Sequence, residues 1–265
     1  MAPKPSIVLA HGLWVTPHSW VEWKLRFESA GYTVLAPGWP GVDDRSVTEI
    51  CADPSPLKGV TIADVVNRYE EIIKGLDTPP IITGHSFGGL FTQLLLSRGF
   101  GCAGIAISAA GPAGVNALTL STIKSTFPIL TNPFNQNGVI PLSPSQFNYI
   151  FTNELGKEES ESVYRELCIP GSAHVLWQGA LAGLHSSGDG EVIWDKADRA
   201  PLLLIGGGND HIVPVSVPKA VVKKYSGPAV VEYKEFEGRT HHIVGQTGWQ
   251  EVADYSLAWA EKNMK

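Results

Sequence analysis

The stretch Thr83-Gly84-His85-Ser86-Phe87-Gly88-Gly89 places a serine between two glycines, directly after an apolar run. A tight turn from a strand into a helix leaves little room beside its central residue, and Gly84 and Gly88 supply that room. Such a turn exposes the Ser86 hydroxyl and leaves the backbone N–H of Phe87 near a helix N-terminus, where negative charge is favoured. A serine with this spacing can also be a structural turn residue, so other parts of the chain must support a catalytic role.

The overall composition is that of a folded protein. The chain has 265 residues, of which 43% are apolar and 17% charged. This length suits one α/β domain with an insertion, and disorder would need more charge and fewer large apolar groups. The formal net charge of −6 argues against a nucleic acid partner, because phosphate backbones are bound by clustered Lys and Arg.

The cysteines and the apolar stretches bear on cellular location. Cys51, Cys102 and Cys168 lie far apart and form no C-x-x-C pattern, which predicts free thiols in a reducing compartment. The apolar stretch at residues 7–10 is too short for the core of a signal peptide, and no stretch approaches the length of a membrane span. We therefore expect a cytoplasmic protein without a membrane span, and the sequence leaves the oligomeric state open.

Strand-like and helix-like segments alternate along much of the chain. This alternation predicts a mostly parallel, twisted sheet with helices on both faces, which is the α/β class. Predicted strands cover residues 6–10, 32–36, 102–108, 201–205 and 230–236, with another leading into Ser86, and predicted helices cover 61–76, 88–97, 158–167, 213–225 and 249–262. Thr61 and Asp64 have the spacing of a capping box at the start of the helix 61–76.

One long segment interrupts the alternation, and we predict that residues 113–196 form an inserted cap on a core made of residues 1–112 and 197–265. Between residues 113 and 153 the only charged side chain is Lys124. Long connections inside a compact domain are uncommon unless they are functional, so this one is predicted to be a lid over the strand ends. Its low charge favours an apolar, uncharged substrate.

Two further polar residues follow predicted strands. Asp210 comes after the strand 201–205 and a glycine-rich turn, and His241 comes after the strand 230–236. Ligands bind an open parallel sheet at the carboxyl ends of its strands, so both side chains should lie near Ser86. A serine hydroxyl needs a base to remove its proton, and the base is commonly a histidine that a carboxylate orients. The adjacent His242 leaves the choice of base open at this point.

Four motifs, each after an apolar strand, together resemble the α/β-hydrolase family over essentially the whole chain. They are His11-Gly12-Leu13-Trp14, Gly84-His85-Ser86-Phe87-Gly88-Gly89, Gly208-Asn209-Asp210-His211-Ile212-Val213-Pro214 and Gly238-Arg239-Thr240-His241.

The resemblance implies an α/β-hydrolase fold with a cap, Ser86 as nucleophile, Asp210 as orienting acid and His241 as base. It also implies an oxyanion hole made by the backbone N–H groups of Leu13 and Phe87. The family pattern places the base directly after Gly-x-Ser/Thr, which favours His241 over His242.

Candidate substrate contacts are Trp14 and Trp39, in loops at the catalytic edge, and His174 and His185, in the predicted cap. Burial in the core is the alternative for the two tryptophans. The two histidines do not stand at a motif spacing from any other candidate residue. No H-E-x-x-H or similar histidine spacing occurs, so we expect no metal, and we expect no cofactor.

The expected function is hydrolysis of a small apolar carboxyl ester or lactone through a Ser-His-Asp triad and an acyl-enzyme. One alternative is a non-hydrolytic acyl transfer by the same triad, such as a lactone-forming cyclase or isomerase of secondary metabolism. A second alternative is a small-molecule binding protein on the same scaffold.

Overall fold

Six parallel strands form the central sheet of a computed structural model that describes residues 4–115, 136–182 and 188–264. The order of strands across the sheet is β2-β1-β3-β4-β7-β8, and β5 and β6 form a separate antiparallel pair. The strands are β1 (Ile7–Ala10), β2 (Val34–Leu35), β3 (Ile81–His85), β4 (Ala103–Ile107), β5 (Val139–Ile140), β6 (Gly171–Ser172), β7 (Leu202–Gly207) and β8 (Val231–Phe236).

Helices cover both faces of the sheet, which confirms the predicted α/β class. In the described parts of the chain they are α1 (Val21–Ser29), α2 (Val47–Ala52), α3 (Ile62–Lys74), α4 (Phe87–Ser97), α5 (Pro144–Ile150), α6 (Lys157–Leu167), α7 (Ala173–Ala182), α8 (Ser216–Lys224) and α9 (Trp249–Asn263), with short 3-10 turns at Pro17–Trp20 and Ser55–Leu57.

The core has two parts, one on each face of the sheet. Side chains alternate along a strand, so Val8 and Ala10 of β1 face the layer of α3, α4 and α8, whereas Ile7 and Leu9 face the layer of α1 and α9. Both sets are fully buried, which explains why the central strands are almost continuously apolar in sequence.

The register of the strands brings the functional loops to one edge. Ala10 lies opposite Gly84, His85 opposite Ile107, and Ile107 opposite Ile205. The carboxyl ends of β1, β3, β4 and β7 therefore lie side by side, and the loops that follow them share one rim of the sheet.

Capping explains where several helices begin. Thr61 Oγ1 accepts a hydrogen bond from Asp64 N–H at 3.0 Å, and Asp64 Oδ2 accepts one from Thr61 N–H at 2.9 Å, so α3 starts with the predicted capping box. The same motif, Ser46 with Glu49, starts α2, which was not predicted although its capping signal is in the sequence.

Other boundaries also differ from the prediction. Helix α8 begins at Ser216 rather than at residue 213, because the N–H of Val213 donates to the Asp210 carboxylate at 2.8 Å and the preceding residues form a turn. The predicted strand 32–36 shortens to the two residues of β2, which pair with Ile7 and Val8 of β1 at the edge of the sheet.

The described part of the insertion lies between β4 and β7 and contains β5, α5, α6, β6 and α7. Its limits at 113 and 196 stay a prediction. Among residues 4–115, 136–182 and 188–264, no helix is both long enough and apolar enough to cross a bilayer.

Candidate functional site

Ser86 occupies a sharp turn between β3 and α4, with φ 56° and ψ −119°. A non-glycine residue with positive φ carries backbone strain and is found mainly where the surroundings enforce it. Two glycines make the turn possible, because a Cβ on Gly84 would lie 1.9 Å from the Gly88 oxygen and a Cβ on Gly88 would lie 2.0 Å from the Ala10 oxygen. The room that the sequence predicted at these two positions is therefore a steric necessity.

The backbone of Ser86 is bound to the neighbouring strand. Its N–H donates to the Ile107 carbonyl at 2.9 Å, and its own carbonyl accepts from the Ala110 N–H at 3.1 Å. These bonds fix the turn, while the Ser86 side chain makes no hydrogen bond with any described residue.

Two free backbone donors flank this serine. Phe87 is the first residue of α4, so its N–H has no partner inside the helix, and Leu13 lies in the loop after β1. Neither N–H donates to a described residue. The Leu13 loop passes close to the serine, because a Cβ on Gly12 would lie 2.8 Å from Ser86 Cβ. Two preorganised N–H groups at a helix N-terminus can stabilise a developing oxyanion.

Asp210 and His241 form a buried hydrogen-bonded pair. His241 Nδ1 lies 2.7 Å from Asp210 Oδ2, and both side chains are at most 1% exposed. The other carboxylate oxygen accepts from the N–H groups of Ile212 and Val213 at 3.0 and 2.8 Å. This network assigns the imidazole proton to Nδ1 and leaves the carboxylate oriented on both of its oxygens.

The far nitrogen of this imidazole is available as a base. His241 Nε2 is buried and has no hydrogen-bond partner among the described residues. Ser86 lies in the same region, because the ring centroid of the adjacent His85 is 4.7 Å from that of His241. A hydrogen bond from the Ser86 hydroxyl to Nε2 is not formed in the described part of the chain, and such bonds often tighten only when substrate is bound.

The neighbouring histidines are neutral and structural. Burial, reinforced by the charge of His241, lowers the pKa of His242 to about 4. Burial also holds the pKa of His85 well below its usual value, and its Nε2–H donates to the His241 carbonyl at 2.8 Å. Burial lowers the pKa of His11 to about 4, and its Nδ1–H donates to the Gly12 carbonyl at 2.9 Å. Since Asp210 pairs with His241, the geometry favours His241 over His242 as the base.

The predicted substrate contacts fall in different environments. Trp14 is buried with its indole N–H on the Ile140 carbonyl at 3.1 Å, and Trp39 is buried with its indole N–H on the His11 carbonyl at 3.2 Å. His174 is partly exposed, and its Nδ1 lies 3.1 Å from Asn137 Oδ1. His185 lies outside the described residues. A pocket role for these four residues stays a prediction.

The insertion supplies contacts that the sequence did not reveal. The ring of Phe87 packs against α7, because a Cβ on Gly179 would lie 2.5 Å from it. The ring of Phe151, just after α5, lies edge-to-face on His241 with centroids 5.0 Å apart. Phe151 is 90 residues from His241 and stands in no motif, so no local signal points to this contact.

The described ranges contain no group of three or more His, Cys, Asp or Glu side chains that could hold a metal ion. The chemistry that the site can perform with the residues present is nucleophilic attack by a serine, assisted by a buried imidazole and two backbone donors.

Comparison with known proteins agrees with the fold described above. The sequence profile of the family described as Alpha/beta hydrolase family matches residues 7–255. Among curated protein sequences, none matches this chain closely enough to count as a relative.

Solved structures with the same fold include a Paleococcus ferrophilus monoacylglycerol lipase, with TM-score 0.67 and 18% identity, covering 98% of this chain and 96% of that one. An extracellular alpha/beta-hydrolase from a Paenibacillus species has TM-score 0.69 and 19% identity, covering 99% and 100%. A variant of tomato methylketone synthase I complexed with beta-ketoheptanoate has TM-score 0.67 and 16% identity, covering 98% and 99%. At these identities the similarity establishes the fold.

Proposed function

Because the chain belongs to the α/β-hydrolase family, we propose that it is a serine-dependent hydrolase of small apolar carboxyl esters or lactones. The observation that carries the proposal is the buried Asp210–His241 pair, whose imidazole keeps Nε2 unpartnered beside a serine in a strained turn. Ser86 itself is buried, at 6% exposed. A buried base with no described hydrogen-bond partner, near a serine whose hydroxyl is likewise unbonded and two N–H groups without a described acceptor, is the arrangement that acyl transfer requires.

In the proposed reaction the Ser86 oxygen attacks the acyl carbon while His241 Nε2 takes its proton. Asp210 stabilises the imidazolium that forms, and the N–H groups of Leu13 and Phe87 hold the oxyanion. The tetrahedral intermediate then expels the alcohol, which receives the proton from Nε2. Water, activated by the same nitrogen, releases the acid; with a lactone the alcohol stays attached to that acid.

Two features support an apolar ester as substrate. Residues 113–153 of the insertion carry one charged side chain, so an insertion that covers the site would offer few groups that select a charged ligand. The monoacylglycerol lipase noted above shares the fold over nearly the whole chain, which makes carboxyl esters the first class to test. A cytoplasmic location stays a prediction from the cysteine pattern.

A second candidate is non-hydrolytic acyl transfer, such as lactone formation, by the same three residues. The burial of His241 favours this candidate, since the residue is 0% exposed and its Nε2 is buried from solvent. Restricted access of water to the base would slow deacylation by hydrolysis and leave time for an internal hydroxyl to attack.

The test uses p-nitrophenyl esters of increasing acyl length and a fluorophosphonate probe, with wild type, Ser86→Ala and Ser108→Ala. Ser108 is a matched control because its hydroxyl is buried without a described partner at the end of β4. We expect Ser86→Ala to lose about 10⁴-fold or more in kcat and all labelling, and Ser108→Ala to keep both.

The outcomes separate the candidates. Ester turnover that Ser86→Ala retains above about a tenth of wild type would reject the covalent scheme, since removing a nucleophile costs far more than tenfold. Strong labelling with negligible ester turnover would favour acyl transfer. Saturable ligand binding with neither labelling nor turnover would make the protein a binding protein.

A further inference from the structure

One short part of the insertion contacts both loops that carry the acid and the base. We call residues 149–154, at the end of α5 and in the turn that follows, the bridging segment. The loop after β7 carries Asp210 and the loop after β8 carries His241, and the bridging segment packs on each of them.

On the base side the contacts come from Phe151. Its ring lies edge-to-face on the His241 imidazole, with centroids 5.0 Å apart and planes at 71°. Its carbonyl accepts the N–H of His242 at 2.9 Å. Phe151 is only 2% exposed, so both contacts are made in the interior. One residue of the insertion thus holds the backbone next to the base and one face of its ring.

On the acid side the contacts fall on the two residues that flank the acid. Asn153 Nδ2 donates to the Asn209 carbonyl at 3.1 Å, and Asn209 Nδ2 donates to Glu154 Oε1 at 3.1 Å. His211 Nδ1 lies 3.0 Å from the Tyr149 carbonyl, and the two rings are in contact, with centroids 4.7 Å apart and planes tilted by 37°. The bridging segment therefore contacts the residue before Asp210 and the residue after it.

These contacts matter because the acid and the base belong to different loops. The 2.7 Å hydrogen bond between Asp210 and His241 requires the loops to be placed to within a few tenths of an ångström. A separation set by two loops alone would vary with each of them, whereas a common support fixes one against the other. Displacements of about 1 Å in a catalytic group can cost about 100-fold in rate.

We propose that the bridging segment is a positioning element for the Asp210–His241 pair, with Phe151 and Asn153 as its positioning residues. Docking of the insertion then determines whether His241 can act as a base, in addition to any contact that the insertion makes with substrate. The inference rests on the proposed function insofar as His241 is the base of that reaction.

The test compares two matched pairs of variants. Asn153→Ala removes an amide hydrogen bond that crosses to the acid loop, whereas Asn263→Ala removes a similar bond, 2.9 Å to the Trp259 carbonyl, at the end of α9 and outside the insertion. Phe151→Leu removes the ring on the base, whereas Phe27→Leu removes a ring of α1 that is 1% exposed and packs on Trp23 rather than on His241.

We expect Asn153→Ala to lower kcat and the fluorophosphonate labelling rate about tenfold, and Phe151→Leu to lower them 10- to 100-fold, with KM changed less than about threefold. Asn263→Ala and Phe27→Leu should stay within about twofold of wild type in all three measurements. A loss of substrate contact alone would instead raise KM.

A proton spectrum gives a readout that needs no substrate. The Nδ1–H of His241, held on Asp210, should give a low-field resonance in wild type and in both controls, and it should broaden or disappear in Asn153→Ala and Phe151→Leu. Should one of these variants fail to fold, the other still decides the matter.

The inference is overturned if Asn153→Ala and Phe151→Leu match their controls in kcat, labelling and this resonance. If wild type neither labels nor turns over esters, yet the resonance is lost only in those two variants, the proposed function fails and the positioning role stands.

Discussion

The two halves of the site are held in place by different means. Ser86 is positioned by its own backbone turn, by glycines within a few residues of it and by hydrogen bonds to the end of β4. Asp210 and His241 are held by their mutual hydrogen bond and by contacts with residues distant in sequence, namely His85 and the bridging segment. The proposed nucleophile is therefore positioned by local geometry, whereas the proposed acid–base pair depends on long-range packing.

The contrast predicts where the site is sensitive. Around Ser86 a single added methyl group should disturb the fold, because backbone atoms of neighbouring segments are in direct contact there. Around Asp210 and His241 the fold should tolerate substitutions even when they move these two side chains apart, since the loops that carry them lie at the rim of the sheet. The predictions below test this difference, starting from the largest expected effect.

Replacing Asp210 by Asn should lower kcat by about 10⁴-fold, equivalent to about 5 kcal/mol in the activation free energy. An amide can still accept the N–H groups of Ile212 and Val213, but its NH₂ would donate to His241 Nδ1 and shift the imidazole proton to Nε2. The base would then have no lone pair facing Ser86. Ester turnover and thermal unfolding should show an inactive variant with nearly wild-type stability, and a variant with more than about 1% activity would contradict the assigned tautomer.

Gly84→Ala should lower the free energy of unfolding by about 3 kcal/mol or more. The new Cβ would meet the backbone oxygen of Gly88 at 1.9 Å and the hydroxyl of Thr92 at 2.6 Å, and the backbone cannot retreat between β3 and α4. Gly156→Ala is the matched control, because a Cβ there meets nothing within 4 Å. Urea denaturation measures both, and equal stabilities for the two variants would refute the steric account of the turn.

Acidification should destabilise the fold through its buried neutral histidines. The pKa of His11 and of His242 is lowered to about 4 in the folded state, so below pH 6.5 the unfolded chain binds protons that the folded chain does not. Stability is complete above pH 6.5 and falls as the pH drops towards 4, by about 2 kcal/mol per histidine between pH 7 and pH 5.

Urea denaturation at pH 7 and pH 5 measures this loss. His242→Gln should reduce the loss of stability between pH 7 and pH 5 by the contribution of one histidine, about 2 kcal/mol. Equal pH dependence in wild type and His242→Gln would show that His242 is not the neutral buried group described above.

Trp14→Phe tests whether the oxyanion side also depends on the insertion. Trp14 has φ 66°, its indole N–H donates to the Ile140 carbonyl of β5, and its own carbonyl accepts the N–H of Ile169. Losing the indole donor should cost about 1 kcal/mol of stability and lower kcat severalfold by loosening the Leu13 loop.

Trp259→Phe is the control for this change. It loses a comparable indole hydrogen bond, 2.8 Å to Glu232 Oε2 near the C-terminal end of the chain, and should cost similar stability with kcat unchanged. If both variants keep wild-type kcat, the Leu13 loop does not depend on its contacts with the insertion.

The parts of the molecule that the sequence predicted are those with local determinants. Apolar runs bounded by glycine located the central strands, and the spacing of Thr61 and Asp64 located the start of α3. Gly84 and Gly88 allowed the turn at Ser86 to be predicted, because the close contacts that require glycine lie within a few residues of the turn. The positions of Asp210 and His241 after two strands followed from the rule that loops at the carboxyl ends of parallel strands share one edge.

The parts that escaped prediction depend on contacts between distant residues. Nothing in the stretch from Tyr149 to Glu154 marks it as a support for the acid and base loops, since aromatic and amide side chains are common in any helix end. The tryptophans illustrate the same limit: the sequence placed Trp14 and Trp39 in loops at the catalytic edge, and only the tertiary structure shows which carbonyl each indole bonds to.

Helix α4 has a consequence for biosynthesis. All eleven of its residues are buried, and part of their cover comes from much later in the chain: Gly179 on Phe87, Ile193 on Ser97 and Tyr225 on Gln93. At translation rates of 5–20 residues per second, roughly ten seconds pass between the emergence of α4 and that of Tyr225. During that interval the apolar residues of this segment are not yet buried by the later parts of the chain, so we expect a chaperone at the ribosome to bind there.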